Sequence, residues 1–413
     1  MDYGLIGERL GHSYSPQIHA LLGNDRYELR PIPPEELDAF LRARNFRGLN
    51  VTIPYKQAVL PYCAQLSDTA REIGSVNTLV VRPDGSLLGH NTDIGGFTTM
   101  LREAGIDPAG KKAVVLGSGG TSLTARTALR RMGAREIVVV SRRGPVTYDA
   151  LYAEHADAQL LVNATPVGMY PNTGVSPVEL DRLPNLSGVA DVIYNPEKTA
   201  LILDAQARGI PAVSGLTMLV AQAREADEWF FNRPVPGEVV RTICGEIRAE
   251  MLNLVLVGMP GCGKSTLGAQ VAALLNRPFV DCDEEIVREA GMSIPEIFAR
   301  FGETDFRRRE AEVLCRVGRE SRTVVATGGG AILREDNVRA LRQNGRVCFL
   351  RRALEQLPTD GRPLSGPDDA IARLWRERRE KYERCADFTV DNNSSAEAVA
   401  RRIQEGFHEA AHR

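Results

Sequence analysis

Residues 252–275 read LNLVLVGMPGCGKSTLGAQVAALL. An apolar run leads into Gly258-Met-Pro-Gly261-Cys262-Gly263-Lys264-Ser265-Thr266, and apolar residues at helical spacing follow. The order is strand, glycine loop, helix, with G-x-x-x-x-G-K-S at the junction. Glycines leave backbone N–H groups free to curl around phosphate oxygens that side chains would block. Lys264 would then reach the β- and γ-phosphates of a nucleotide, and Ser265 would hold Mg2+. A glycine turn that binds nothing needs neither the strand before it nor the helix after it. The stretch starts just past Met251, so everything before it needs a separate account.

The chain has 413 residues, room for roughly two or three domains with cores of their own. It is 43% hydrophobic and 25% charged, with a formal net charge of −2. That balance gives no global pull toward nucleic acid or an anionic membrane. Arginines cluster at Arg307-Arg308-Arg309 and between Arg376 and Arg379, without interleaved aromatics. Such clusters suit small anionic ligands or a solvated helix face better than DNA. No apolar run approaches membrane-spanning length, and MDYGLIGERL lacks the basic-then-apolar order of a signal peptide. Seven scattered cysteines, an odd number, predict reduced thiols and a cytoplasmic protein. No Cys/His spacing suits zinc. The oligomeric state, monomer or homodimer, stays open.

Upstream of the glycine loop, 215–248 reads as helical, punctuated by Pro234 and Pro236. Residues 110–214 alternate strands (Ala113–Leu116, Glu136–Val140, Gln159–Asn163, Val189–Ile193, Ala212–Val213) with helical stretches. That alternation predicts a parallel sheet with helices on both faces. Residues 1–93 mix strands at Tyr3–Gly7, Gly48–Pro54, Asn77–Val81 and Leu87–Gly89 with a helix at Ser67–Ile73. Pro83-Asp-Gly85 marks a hairpin, and Pro16 suits the first turn of a helix. The expected fold is α/β throughout: one domain from 1–93 plus 215–248, a second from 94–214, and a P-loop domain from 251–413.

A second glycine loop, Gly117-Ser118-Gly119-Gly120-Thr121-Ser122, follows the strand Ala113–Leu116 and opens a helix running to Met132. The next strand ends about twenty residues on, where a Rossmann-like dinucleotide site keeps its ribose-recognising residue. There the chain reads Ser141-Arg142-Arg143, with no carboxylate for a 2′-hydroxyl. Two guanidiniums can grip a 2′-phosphate, which favours NADP over NAD.

Seven ordered motifs in residues 1–248 resemble shikimate dehydrogenases. They are Gly11-His-Ser13-Tyr-Ser15-Pro16, Asn50-Val-Thr52-Ile-Pro-Tyr-Lys56, Gly74-Ser-Val-Asn77-Thr, Asn91-Thr-Asp93, Asn163-Ala-Thr165-Pro-Val-Gly-Met169, Asp191-Val-Ile-Tyr194-Asn-Pro and Gly215-Leu-Thr-Met-Leu-Val-Ala-Gln222. The resemblance implies hydride transfer from NADPH to the 3-keto group of 3-dehydroshikimate, with Lys56 and Asp93 as the catalytic pair. Ser13 and Ser15 would hold the substrate carboxylate. Thr52, Lys56, Asn77, Asp93, Tyr194 and Gln222 would serve its ring and hydroxyls. Asn163, Thr165 and Gly215 would join the glycine loop in holding NADP. A polar site of this kind rejects analogues that leave its own groups unpaired. His90 stands where the family usually carries Asp, and SRR where it carries NRT.

Residues 251–395 resemble shikimate kinase. Phe279-Val-Asp281-Cys-Asp283 reads as a strand ending in paired acids; Arg307, Gly328-Gly329-Gly330, Arg362-Pro-Leu and Arg378 follow in the family's order. The resemblance implies that Asp283 takes the proton of shikimate's 3-hydroxyl as it attacks the γ-phosphate. Asp281 would help Ser265 hold Mg2+. Arg307 and Arg378 would clamp the shikimate carboxylate. Gly328–Gly330 would admit the ring, and Arg362, in a lid, would add positive charge over the phosphates. Glu355 stands where the family often has an arginine for adenine. The chain is thus expected to make shikimate and then phosphorylate it. The alternative is a quinate/shikimate dehydrogenase with broader cofactor use, fused to a nucleotide-sensing module without turnover.

Overall fold

The computed structural model describes residues 1–11, 13–357 and 369–412. They divide into two compact units. The first comprises Met1–Val167, Ser176–Tyr194 and Asp204–Ile247; the second comprises Gly168–Val175, Asn195–Leu203 and Arg248–Arg413. Two short stretches of the 94–214 region therefore belong, by packing, to the second unit.

The first unit holds two sheets. One has the strand order Tyr27–Pro31, Tyr3–Gly7, Gly48–Val51, Thr78–Val81, Leu87–His90, Gln65–Leu66. Its first three strands pair in parallel, and Thr78–Val81 is antiparallel to both neighbours. Gly48–Val51 is buried at every residue, and its one polar side chain is satisfied by the Tyr27 hydroxyl at 2.7 Å and Thr78 Oγ1 at 3.1 Å. The strand expected over Gly48–Pro54 stops at Val51 because the backbone turns there, with Tyr55 N–H bonding Thr52 O at 2.9 Å. Pro54 has no N–H to continue the ladder. That turn carries Lys56.

The other sheet is wholly parallel, in the order Ala212–Val213, Gly188–Asp191, Leu160–Asn163, Lys112–Leu116, Glu136–Val140. Lys112–Leu116 is buried at all five positions, as befits a strand covered on both faces. The strand order reverses on either side of it, so its carboxyl end opens on a crevice. Gly117 sits at that end. The helix Leu216–Phe231 packs along the helix Asp93–Glu103.

The second unit is built on a parallel sheet in the order Phe279–Asp281, Val324–Ala326, Asn253–Val257, Gly345–Arg351, Phe388–Asp391. The apolar run before the glycine loop is the central strand and is buried throughout. Within this unit Arg346 bonds both oxygens of buried Glu197, at 2.7 and 2.9 Å. Burial alone would raise the Glu197 pKa; the Arg346 guanidinium beside it brings it down to about 2. Among the described residues no helix is long and apolar enough to cross a membrane.

Candidate active sites

In the first unit, Lys56 Nζ lies 2.6 Å from Asp93 Oδ2. Asp93 opens the helix Asp93–Glu103, where its backbone N–H bonds Asn91 Oδ1 at 3.1 Å. Its other oxygen receives the Asn77 amide at 2.8 Å. Asn77 is itself pinned, donating to Thr92 Oγ1 at 3.0 Å and accepting the Thr92 N–H at 2.8 Å. Thr92 Oγ1 also donates to Gln222 Oε1 at 3.3 Å. Lys56, Asn77, Asp93 and Gln222, drawn from four separate motifs, thus form one network. Lys56 keeps about a third of its side chain exposed (32%) while Asp93 keeps 15%. The ammonium is therefore the member of the pair best able to meet a ligand.

Ser13 and Ser15 form a pair of their own, with Ser13 Oγ donating to Ser15 Oγ at 3.2 Å. Tyr14 between them meets the Tyr194 ring edge-on at 6.3 Å, and burial pushes the Tyr194 phenol pKa up. Thr52 sits in the turn before Lys56, its methyl close against Gly7. Sequence reasoning passed over Thr92 and over Gly96. A Cβ on Gly96 would stand 2.7 Å from the Met218 carbonyl and 3.0 Å from Gln222 Cβ. That close approach brings Gln222 to the Asp93 helix. Gly96→Val should therefore force the two helices apart, at a cost of about 1–3 kcal/mol. The expected outcome is a lowered melting temperature and at least a tenfold loss of dehydrogenase kcat/KM, checked by thermal unfolding and steady-state assay.

His90 bonds Ser67 Oγ at 2.7 Å and Glu225 Oε1 at 2.9 Å and packs at a tilt against Trp229. It is a buried brace beneath Asn91-Thr92-Asp93.

At the reversal point of the parallel sheet, Gly117 has φ +102°, a conformation that favours glycine. Around Gly119 and Gly120 there is open space where side chains would stand, and Gly120 starts the helix Gly120–Arg131. Asn163 Oδ1 accepts from the Thr165 N–H at 3.0 Å and its hydroxyl at 2.7 Å, holding both residues beside Gly117. Gly215 caps the helix Leu216–Phe231 and abuts the Val192 carbonyl, so it admits no side chain. Arg142 and Arg143 are exposed past Ser141, with no ion pair among the described residues. The donor set fits a dinucleotide carrying an extra phosphate.

In the second unit a cavity of about 600 Å³ lies over the glycine loop. Gly258, Gly261 and Gly263 take φ of +152°, +79° and +100°. Gly261, Gly263, Lys264, Ser265 and Thr266 line the cavity; the Cys262 side chain is wholly buried in the core. Lys264 Nζ rests on the carbonyls of Gly258 and Met259, at 3.0 and 3.1 Å. Ser265 Oγ lies 2.5 Å from Asp281 Oδ2, a hydroxyl and a carboxylate that fit Mg2+ delivered with a nucleotide. Asp281 Oδ1 caps the next helix through the Asp283 N–H at 3.0 Å, which fixes Asp283 at the cavity wall. Burial, and then the Asp281 charge, push the Asp283 pKa up to about 6.

Arg307 lines the same cavity, oriented by Glu310 at 2.8 Å. Sequence reasoning gave Glu310 no role. Arg378 bonds Gly329 O at 3.0 Å, and the Tyr382 hydroxyl bonds the same carbonyl at 2.5 Å. A Cβ on Gly328 would stand 2.8 Å from Asp283 Oδ1, and one on Gly330 would strike the Arg307 guanidinium. The three glycines thus bring carboxylate and guanidinium to one wall. Arg362 lies outside the described residues.

Comparison with known proteins places both halves. Residues 260–407 match the family model for shikimate kinase, and residues 5–79 match that for the shikimate dehydrogenase substrate binding domain. A shikimate dehydrogenase (NADP(+)) of Symbiobacterium thermophilum is 37% identical over 270 residues, 58% of this chain and 92% of that one. One from Rubrobacter xylanophilus is 42% identical over 272 residues, 59% of this chain and 95% of that one. A solved chorismate mutase/shikimate 5-dehydrogenase fusion protein from Clostridium acetobutylicum is 37% identical, with a TM-score of 0.55, over 58% of this chain and 94% of that one. With relatives of this identity matched over nearly their whole length, the chain belongs to the shikimate dehydrogenase family and, carrying a shikimate kinase domain as well, is a bifunctional shikimate-pathway enzyme.

Proposed function

We propose that the first unit reduces 3-dehydroshikimate with NADPH and that the second phosphorylates the resulting shikimate at its 3-hydroxyl with MgATP. NADPH, when bound, would supply the hydride for the keto carbon, and the Lys56 ammonium would give its proton to the oxygen as charge develops there. Asp93 holds that ammonium in place. In the second step Asp283 takes the hydroxyl proton, the oxygen bonds to the γ-phosphorus, and ADP leaves. Ser265 and Asp281 would hold Mg2+, which would supply positive charge to the transferring phosphate.

One observation carries the consecutive reading. The wall of the cavity over the glycine loop brings the guanidiniums of Arg307 and Arg378 together with Asp283, the carboxylate poised as a base. That set suits a hydroxylated carboxylic acid, the class of product the first unit would release. Seven scattered cysteines, an odd number, support placing the enzyme in the cytoplasm.

The test is a paired assay on one purified chain: NADP reduction by shikimate, and ADP release from MgATP and shikimate. Both are expected, with NADP preferred to NAD because of Arg142 and Arg143. A preference for quinate with NAD would overturn the first assignment. An absence of shikimate-dependent ADP release would overturn the second.

A further inference from the structure

The strand Gly345–Arg351 runs parallel to Asn253–Val257, with Phe349 opposite Val257. Asn253–Val257 turns into the glycine loop at Gly258, so close to the Leu350 carbonyl that a Cβ there would strike it. Arg351 therefore ends the strand, and Arg352 leaves the sheet, beside the mouth of the loop. Both are arginines, and they differ in what they meet. Arg351 is locked to the Asp391 carboxylate by two bonds, 2.5 and 2.9 Å. Arg352 makes no ion pair among the described residues, its Nε is buried without a hydrogen-bond partner, and it lines the cavity.

A guanidinium stays charged at any working pH, and burying its donors without an acceptor is costly. An anion entering the cavity removes that cost. Of the cavity's other arginines, Arg307 is paired with Glu310 and Glu303, and Arg378 donates to Gly329 O while its own Nε, like that of Arg352, is buried without a partner. The sheet order settles which anion. Asp281, Asp283 and Gly328–Gly330 follow the strands Phe279–Asp281 and Val324–Ala326, on one side of the glycine loop; Arg352 follows Gly345–Arg351, on the other. The acceptor with its hydroxyl belongs beside Asp283, and the polyphosphate lies along the loop. We infer that Arg352 is a nucleotide-binding residue of the kinase site, its fork gripping the phosphate oxygens of ATP and ADP. This assignment rests on the kinase reading above.

The experiment is calorimetric titration of the full chain with ADP, together with steady-state kinetics of ADP release. Arg352→Met should weaken ADP binding and raise the KM for ATP on the order of tenfold or more, while the KM for shikimate moves less than about twofold. Arg352→Lys should recover only part of the loss, because an ammonium offers no fork. Arg352→Gln, with melting temperature as the fold control, replaces the methionine variant should that one not fold. Unchanged ADP affinity overturns the inference. So does a raised shikimate KM with an unchanged ATP KM, which would make Arg352 a carboxylate ligand. A wild-type chain that makes no ADP from MgATP and shikimate overturns the kinase reading instead.

Discussion

Lys56→Ala is expected to lower dehydrogenase turnover by about a thousandfold and to leave shikimate-dependent ADP release within twofold of wild type. The size follows from two roles in one side chain. A positioned general acid contributes roughly a hundredfold to ten-thousandfold, and a fixed positive charge beside a developing alkoxide adds to it. Asp93→Asn tests the same pair from the other side. The Asn77 amide donates to one oxygen of Asp93 and Lys56 to the other. An amide in that place can still accept from Asn77, but it must turn its NH2 toward the ammonium, a donor against a donor. The lysine then loses its fixed position, and dehydrogenase turnover should fall at least a hundredfold with volume conserved. NADP reduction by shikimate measures both variants. A fall of less than tenfold in either would remove the pair from the chemistry, and a kinase loss of comparable size would show that the two sites are not independent.

The two sites differ in how much of them could be read in advance. Both glycine loops were legible because their geometry demands glycine: Gly117, Gly258, Gly261 and Gly263 all sit at positive φ. The buried parallel strands were legible as unbroken apolar runs for the same physical reason, coverage on both faces. Lys56 and Asp93 are 37 residues apart, with no periodicity linking them, so only the resemblance joined them. The i,i+3 spacing of Arg307 and Glu310 was visible and would have revealed the orienting carboxylate. Arg351 and Arg352 look alike in the sequence. What separates them is Asp391, 40 residues further on, which occupies the first and leaves the second to the cavity. The ion pair of Glu197 with Arg346 spans 149 residues and falls within one compact unit that contiguous domain cuts would divide. Composition and local pattern carry no signal for pairings of that kind; the chain's return path decides them.

Asp283→Asn should abolish phosphoryl transfer, by roughly a hundredfold to ten-thousandfold, and at the same time stabilise the second unit at pH 7. Both effects follow from one fact, the Asp283 pKa raised to about 6 by burial and by the neighbouring Asp281 charge. Below pH 6 the wild-type carboxyl holds its proton and cannot take the substrate's. Kinase kcat/KM should therefore fall about tenfold for each pH unit below 6, whereas the residual rate of the asparagine variant should lack that limb. Stability runs the opposite way. Between the ordinary value of 3.8 and the native value near 6, the folded state binds more protons than the unfolded one, so folding weakens as pH rises through that window. Above it the cost is complete. The Lys264 charge works against the shift, and the value near 6 is what remains after it. Asparagine is neutral at every pH and escapes the cost, giving a gain on the order of 3 kcal/mol at pH 7 that fades as the pH is lowered from 6 toward 4. Denaturant unfolding of the second unit at pH 7 and pH 5, alongside the pH–rate profile, measures both. An asparagine variant less stable than wild type at pH 7 would mean that Asp283 is held by favourable contacts rather than kept strained for its task. A rate profile flat from pH 7 to pH 5 would take the role of base away from it.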